Sequence, residues 1–105
     1  LLESICEVFE DEGFAVFGVE DGEKAKSRLQ EESFHLVVSD IRMPNMSGTE
    51  LTRWMRSESI ETPIILMTGF GDVESFSEAI AVGANEFIAK PFRTEDLLNK
   101  AQKLF

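Results

Sequence analysis

A chain of 105 residues can enclose one hydrophobic core but not two, so it reads as a single domain spanning residues 1–105. Twenty Asp and Glu against ten Lys and Arg give a formal net charge of −10, which argues against direct nucleic-acid binding or docking on an anionic membrane and suits a cation or a basic partner. A lone cysteine, Cys6, excludes an intrachain disulfide and a thiolate metal cluster, no stretch reads as a signal peptide or a bilayer span, and a cytoplasmic setting is expected.

Leu1, Leu2, Ile5, Val8 and Phe9 follow helical spacing, with Cys6 packed among them, and Gly13 suits a left-handed C-terminal turn. Phe14 to Val19 is an aromatic and β-branched run that reads as a strand. Asp21 is a good N-cap for a helix over Glu23–Glu31 that turns Ala25 and Leu29 inward. Phe34 to Ser39 is apolar apart from His35 and reads as a strand covered on both faces. Ser47-Gly48-Thr49-Glu50 is a capping box, opening a helix with Leu51, Trp54 and Met55 on one face. Ser57 to Thr62 reads as a polar linker, and Pro63 to Thr68 as a third apolar strand. After the Gly69–Asp72 turn, Asp72 caps a helix with Val73, Phe76 and Ile80 inward, closed by Gly83. Glu86 to Lys90 is a last strand stopped by Pro91, and Thr94 caps a final helix carrying Leu97, Ala101 and Leu104.

Strands alternating with helices across short loops predict an α/β fold, a parallel sheet with helices on both faces. In such a sheet ligands sit at the carboxyl ends of the strands. Three successive strands end there in Asp40, Thr68 and Lys90. Their chemistry is complementary: a carboxylate oxygen can attack phosphorus, a hydroxyl can donate to a phosphoryl oxygen, and an ammonium can neutralise developing charge. His35 lies early in its strand, away from Asp40, and reads as structural. Trp54 and the methionines read as packing.

Val38-Ser39-Asp40-Ile41-Arg42-Met43-Pro44 with Gly48, then Leu66-Met67-Thr68-Gly69, then Phe87-Ile88-Ala89-Lys90-Pro91-Phe92 resemble the receiver domain of two-component response regulators, in the right order and over almost the whole chain. The motifs look most like receivers of the nitrogen-regulatory and nitrogen-fixation type. The resemblance implies a flavodoxin-like, CheY-like doubly wound parallel sheet and a switch rather than an enzyme. It implies that a sensor histidine kinase phosphorylates Asp40, that Thr68 and Lys90 contact the phosphoryl group, and that Phe87 is the aromatic that swings inward. It also implies a cis Lys90–Pro91 bond, and an attached transcriptional output domain or a homodimer partner. A Mg²⁺ site would include Asp40 and the backbone carbonyl of Arg42, and the large Arg42 and Phe70 side chains would limit water access and slow loss of the phosphate.

Receivers carry a further strand before the first helix, ending in an acidic pair that completes the Mg²⁺ site. Neither occurs in these residues, so the first, central strand of the family order 2-1-3-4-5 is absent from the sequence. Three accounts are open: upstream residues of a longer protein, a strand from another copy, or altered pairing in a degenerate domain. The first is the expectation. On it, the Phe14 and Phe34 strands face each other across a gap of about 10 Å, two strand spacings. Glu20 and Asp21, though at the correct edge, are then too far to replace the missing acids, and this fragment accepts phosphate poorly. The alternative function is a receiver-shaped binding module that is never phosphorylated. An aspartyl-phosphate hydrolase would resemble Asp-x-Asp where this chain has Asp40-Ile41-Arg42, and a flavodoxin-like cofactor site would need a Ser/Thr/Gly-rich loop that is not visible.

Overall fold

Four parallel strands form one sheet in the computed structural model, which describes residues 7, 9–13, 16–69, 80–81 and 83–104. In chain order the elements are β1 (Val16–Val19), α1 (Gly22–Glu31), β2 (Leu36–Asp40), α2 (Gly48–Ser57), β3 (Ile64–Thr68), β4 (Glu86–Ala89) and α3 (Thr94–Gln102). Glu7, Phe9, Glu10 and Asp11 are helical ahead of β1, and Gly13 leaves that helix at φ 88°. Leu1 to Cys6, Phe70, Asp72, Val73 and Phe76 lie outside the described residues. No helix among the described residues is long and apolar enough to cross a membrane.

The sheet order is β1-β2-β3-β4. β1 pairs directly with β2, Val16 opposite Leu36 and Val19 opposite Ser39. The gap expected between these strands is therefore absent, and so is the 10 Å separation. The reason is physical. A gap would leave facing rows of backbone N–H and C=O groups inside the molecule without partners, and direct pairing satisfies them. The described strands pair with no strand between them, β1 against β2.

The strands alternate between two apolar layers, as a sheet covered on both faces requires. Val37, Ile64 and Leu66 face Ala25 and Leu29 of α1 and Leu51 and Met55 of α2. Leu36, Val38, Ile65 and Met67 face Phe9 on one side of the chain and Leu97 and Ala101 of α3 on the other. Right-handed crossovers between adjacent parallel strands place α1 and α2 on the same face, which is where both pack. Ile80, expected to point inward, is 44% exposed. The chain turns at Gly83, φ 107°, and Ala84 enters the core instead.

The helix starts follow the local chemistry in two of three cases. Ser47 Oγ accepts from the Glu50 N–H at 3.1 Å while the Glu50 carboxylate accepts from the Ser47 N–H at 3.2 Å, the reciprocal capping box. Asp21 Oδ1 accepts from the Glu23 and Lys24 N–H groups at 2.9 and 3.3 Å. Thr94 is not an N-cap: Arg93 holds that position, with no side-chain cap, and Thr94 is the first helical residue.

The segment expected to be a plain polar linker is anchored by Arg56. Its guanidinium donates to the carbonyls of Ile60 at 2.7 Å, Thr62 at 3.0 Å and Gly83 at 3.1 Å, and to Asn85 Oδ1 at 2.9 Å. Asn85 Oδ1 also accepts from the Ile64 N–H at 3.0 Å, tying the starts of β3 and β4 to the end of α2. Burial lowers the Arg56 pKa from its ordinary value, with the Glu61 charge opposing.

Two predictions follow from the helix starts. A Cβ at Gly48 would collide with the Asp40 carbonyl oxygen and lie 3.0 Å from the Leu66 side chain and Ser39 Oγ. Helix propensity alone favours Ala by up to about 1 kcal/mol. The collision reverses that sign, so Gly48→Ala should lower the unfolding midpoint by about 5 °C or more in a thermal melt. The second concerns Asp21. Desolvation pushes its carboxyl up, but hydrogen bonds from the Lys24 N–H, the Asn45 amide and the Glu23 N–H, with the Lys24 charge, outweigh it and hold the pKa below its ordinary value. A depressed folded pKa means the stabilisation is complete above the unfolded value, about 3.9, and is lost as pH falls through the folded one. Asp21→Asn should therefore lose midpoint less steeply than the parent between about pH 5 and pH 2, and parallel curves would contradict this assignment.

Candidate functional site

β2 and β3 end at Asp40 and Thr68, and Lys90 follows β4 directly. Parallel pairing sets all three at one edge, with neighbouring strands about 4.8 Å apart. The Lys90 ammonium bonds directly to Asp40 Oδ1, an ion pair reaching across β3. The Asp40 and Lys90 side chains are 32% and 37% exposed, enough for a donor to approach from solvent. Thr68 is 7% exposed, and its hydroxyl donates to the Ile88 carbonyl at 3.5 Å. The Lys90 N–H donates to the Thr68 carbonyl at 2.7 Å, which fixes the start of the Lys90 loop against the end of β3. The Lys90–Pro91 bond is cis.

The loop after Asp40 is held at both ends. The Ile41 N–H donates to the Met67 carbonyl at 3.1 Å and the Gly48 N–H to the Ile41 carbonyl at 2.7 Å. Ser39 Oγ donates to the Asp40 carbonyl at 2.8 Å. Gly48 permits this because the start of α2 lies against the Asp40 carbonyl, where a side chain would not fit.

The remaining candidates take up different positions. Phe87 is half-buried on β4 against the core that contains Leu66. The Lys100 ammonium lies 5.7 Å from its ring centroid and 3.5 Å from the Glu86 carboxylate. Arg42 is exposed in the loop after Asp40, and Phe70 lies outside the described residues. His35 is exposed just ahead of β2, at the end away from Asp40. Trp54 packs half-buried on the core, with the Lys26 ammonium 5.3 Å from its ring centroid.

Two functional candidates emerge from the packing rather than from motifs. Asn45 Nδ2 donates to Asp21 Oδ2 at 2.9 Å, and the Gly22 N–H donates to the Pro44 carbonyl at 3.3 Å. Asn45 has φ 68°, a left-handed conformation that Asn tolerates. An Asn directly after Pro is the signal available in the sequence, because Pro-Asn marks a turn. Nothing local in the sequence names Asp21 as its partner.

Receiver domains generally bind Mg²⁺ at the phosphorylation site. Direct pairing of β1 with β2 brings the Glu20–Asp21 corner one strand from Asp40, so distance no longer excludes it. The donor set does not fit all the same. Asp40 Oδ1 is taken by the Lys90 ammonium, and both Asp21 oxygens accept hydrogen bonds from Glu23, Lys24 and Asn45. Among the described residues no three His, Cys, Asp or Glu side chains group as a cation would need.

Comparison with known proteins places this geometry in a family. The family model for the response regulator receiver domain matches residues 1–102. The chain is 38% identical over 95 residues to the transcriptional regulatory protein FixJ of Bradyrhizobium diazoefficiens, covering 90% of this chain and 46% of that protein. It is 37% identical over 87 residues to the two-component response regulator PhoP of Pseudomonas aeruginosa, covering 83% of this chain and 39% of the relative. The chain thus spans less than half the length of these two curated relatives. The receiver domain of NtrX from Brucella abortus superposes with a TM-score of 0.85 at 26% identity, covering 96% of this chain and 86% of that one. These neighbours match the nitrogen-regulatory and nitrogen-fixation likeness of the motifs. An acceptor-type carboxylate, a hydroxyl and an ammonium at one sheet edge thus sit in a chain that belongs to the response regulator receiver domain family.

Proposed function

We propose that residues 1–105 form a receiver domain switched by phosphorylation of Asp40, with a sensor histidine kinase as donor and an attached transcriptional output domain or a second copy as recipient of the signal. The observation that carries this reading is the Asp40–Lys90 ion pair at the ends of β2 and β4, with Thr68 ending the strand between them. An Asp40 oxygen attacks the phosphorus of a phosphohistidine. The new O–P bond forms as the P–N bond breaks, and the departing imidazole nitrogen keeps the electron pair and takes a proton from water. The product is a mixed anhydride on Asp40. Lys90 moves from the carboxylate oxygen to the phosphoryl oxygens, where the same positive charge now offsets more negative charge. Thr68 exchanges its long bond to the Ile88 carbonyl for a phosphoryl oxygen. Phe87, half-buried and next in space to Leu66, follows Thr68 inward. The domain transfers a signal and does not turn over a substrate, in keeping with its regulatory relatives. The net charge of −10 supports a domain that makes no direct nucleic-acid contact of its own.

The second reading is a binding module of receiver shape that is never phosphorylated. The Asp40–Lys90 pair is compatible with it as well. Asp40→Asn separates the two, because only the phosphoacceptor reading predicts loss of regulation.

Labelling with acetyl phosphate tests both identity and competence. The 105-residue chain should label at Asp40 well below one phosphate per chain, with little gain from Mg²⁺, and Asp40→Asn should abolish the label. A longer chain carrying a complete acidic site should label fully. Stoichiometric, Mg²⁺-dependent labelling of the 105-residue chain would refute the expectation of low competence, and label persisting in Asp40→Asn would refute the choice of acceptor.

A further inference from the structure

The loop after the acceptor is tied to a neighbouring element by more than its own ends. Pro44, Asn45 and Met46 meet Asp21 and Gly22, the cap and first residue of α1. The Asp21 carboxylate divides its work: Oδ1 caps the helix through Glu23 and Lys24, and Oδ2 accepts from Asn45 Nδ2 at 2.9 Å. The Pro44 carbonyl accepts from two amides, Met46 at 2.8 Å and Gly22 at 3.3 Å. A Cβ on Gly22 would collide with the Met46 backbone and Cβ, so the two segments are in close contact and glycine is what fits there. Asn45 reaches Asp21 from a left-handed backbone at φ 68°. The contact spans 24 positions in sequence, so the loop is held by the fold and not only by its own turn.

We infer that Asp21 and Asn45 form a latch that positions the loop after Asp40 for phosphoryl acceptance, Asp21 acting as a positioning residue and not as a cation ligand. The kinetic part of this inference rests on Asp40 being the phosphoacceptor; the latch itself does not. The loop begins one residue after the acceptor and carries the Ile41 carbonyl that holds Gly48 and the start of α2. Releasing Asn45 would loosen residues 42 to 46 relative to Asp40 while leaving both helix caps, Asp21 and Ser47, intact. A misplacement of about 1 Å at a reacting centre is enough to slow a reaction by a large factor.

Two variants separate a latch from a cap or a charge. Asn45→Gly keeps the left-handed backbone and removes only the amide. Asp21→Asn keeps an acceptor for the helix cap and, with the Asn45 amide turned over, a bond to position 45, but removes the charge. Amide hydrogen exchange at Gly22 and Met46 reads the latch directly. Asn45→Gly should speed both by about tenfold, the value of one charge-assisted hydrogen bond, and Asp21→Asn should leave them within about threefold of the parent. The rate of acetyl-phosphate labelling at Asp40, measured well below the unfolding midpoint of every variant, should fall about tenfold in Asn45→Gly and be retained in Asp21→Asn. Unchanged exchange in Asn45→Gly would overturn the latch. So would Asp21→Asn losing Mn²⁺ relaxation enhancement, because Asp21 would then be a cation ligand. A longer chain with a complete acidic site that never labels at Asp40 would overturn the phosphoacceptor reading and leave the exchange result to decide the latch.

Discussion

The need to pair every buried backbone group governs this molecule. β2 is buried from Leu36 to Ser39 and carries parallel partners on both sides, β1 and β3. A row of unpaired N–H and C=O groups along such a strand would cost about 1–3 kcal/mol per group, more than a domain of this size can absorb over four residues. Direct pairing with β1 removes that penalty. It also draws the β1–α1 corner toward the loop after Asp40, where Gly22 meets Pro44 and Asp21 meets Asn45. The surroundings of Asp40 are therefore set by sheet pairing before any side-chain chemistry is considered.

Electrostatics at the site follows from that geometry. The chain carries ten more acidic than basic residues, yet Asp40 has a lysine as its direct partner. Both groups are about a third exposed, so the pair gains little from its mutual attraction and can be exchanged for a stronger one. The proposed phosphoacceptor would need that property. A fully buried pair would resist opening, because either partner left alone in a low dielectric would be strongly penalised. The partly wet Asp40–Lys90 pair keeps the carboxylate reachable and keeps the ammonium within reach of whatever the carboxylate takes up.

What could be read from the sequence was the local chemistry. The Ser47–Glu50 capping box, the Asp21 cap, the left-handed Gly13 and Gly83 and the apolar strands depend on neighbours a few positions away, and each is where its residues place it. The convergence of Asp40 and Lys90 was also legible, because parallel strands joined by crossovers must end at one edge. Strand partners were not. Pairing of β1 with β2 depends on what lies beside them in space, and the continuous apolar run of Leu36 to Val38 suits a strand next to any parallel neighbour. Ile80 failed because its helical spacing says nothing about the turn at Gly83 that brings Ala84 inward. Thr94 failed because a good capping residue one place inside the helix cannot cap it. Arg56 stood beside a polar stretch and gave no local sign that four acceptors would gather round it.

Those acceptors give α2 a role beyond covering the sheet. At its start, Gly48 is bonded to the Ile41 carbonyl, one residue after the acceptor. At its end, Arg56 holds the Gly83 carbonyl and Asn85, immediately before the strand that carries Phe87 and leads to Lys90. A ten-residue helix spans about 15 Å along its axis. A helix of that length, hydrogen-bonded at both ends and packed through Leu51 and Met55, transmits displacement more readily than it absorbs it. The loop after Asp40 and β4 are thus linked twice, once through the Asp40–Lys90 pair at the open edge of the sheet and once through α2 and Arg56 around its other end. A change at Asp40 that breaks the first link leaves the second in place, so β4 would pivot about the Arg56–Asn85 anchor and not shift as a whole. That confines movement to the end of β4 nearest Lys90, the end that a phosphoryl group on Asp40 would face.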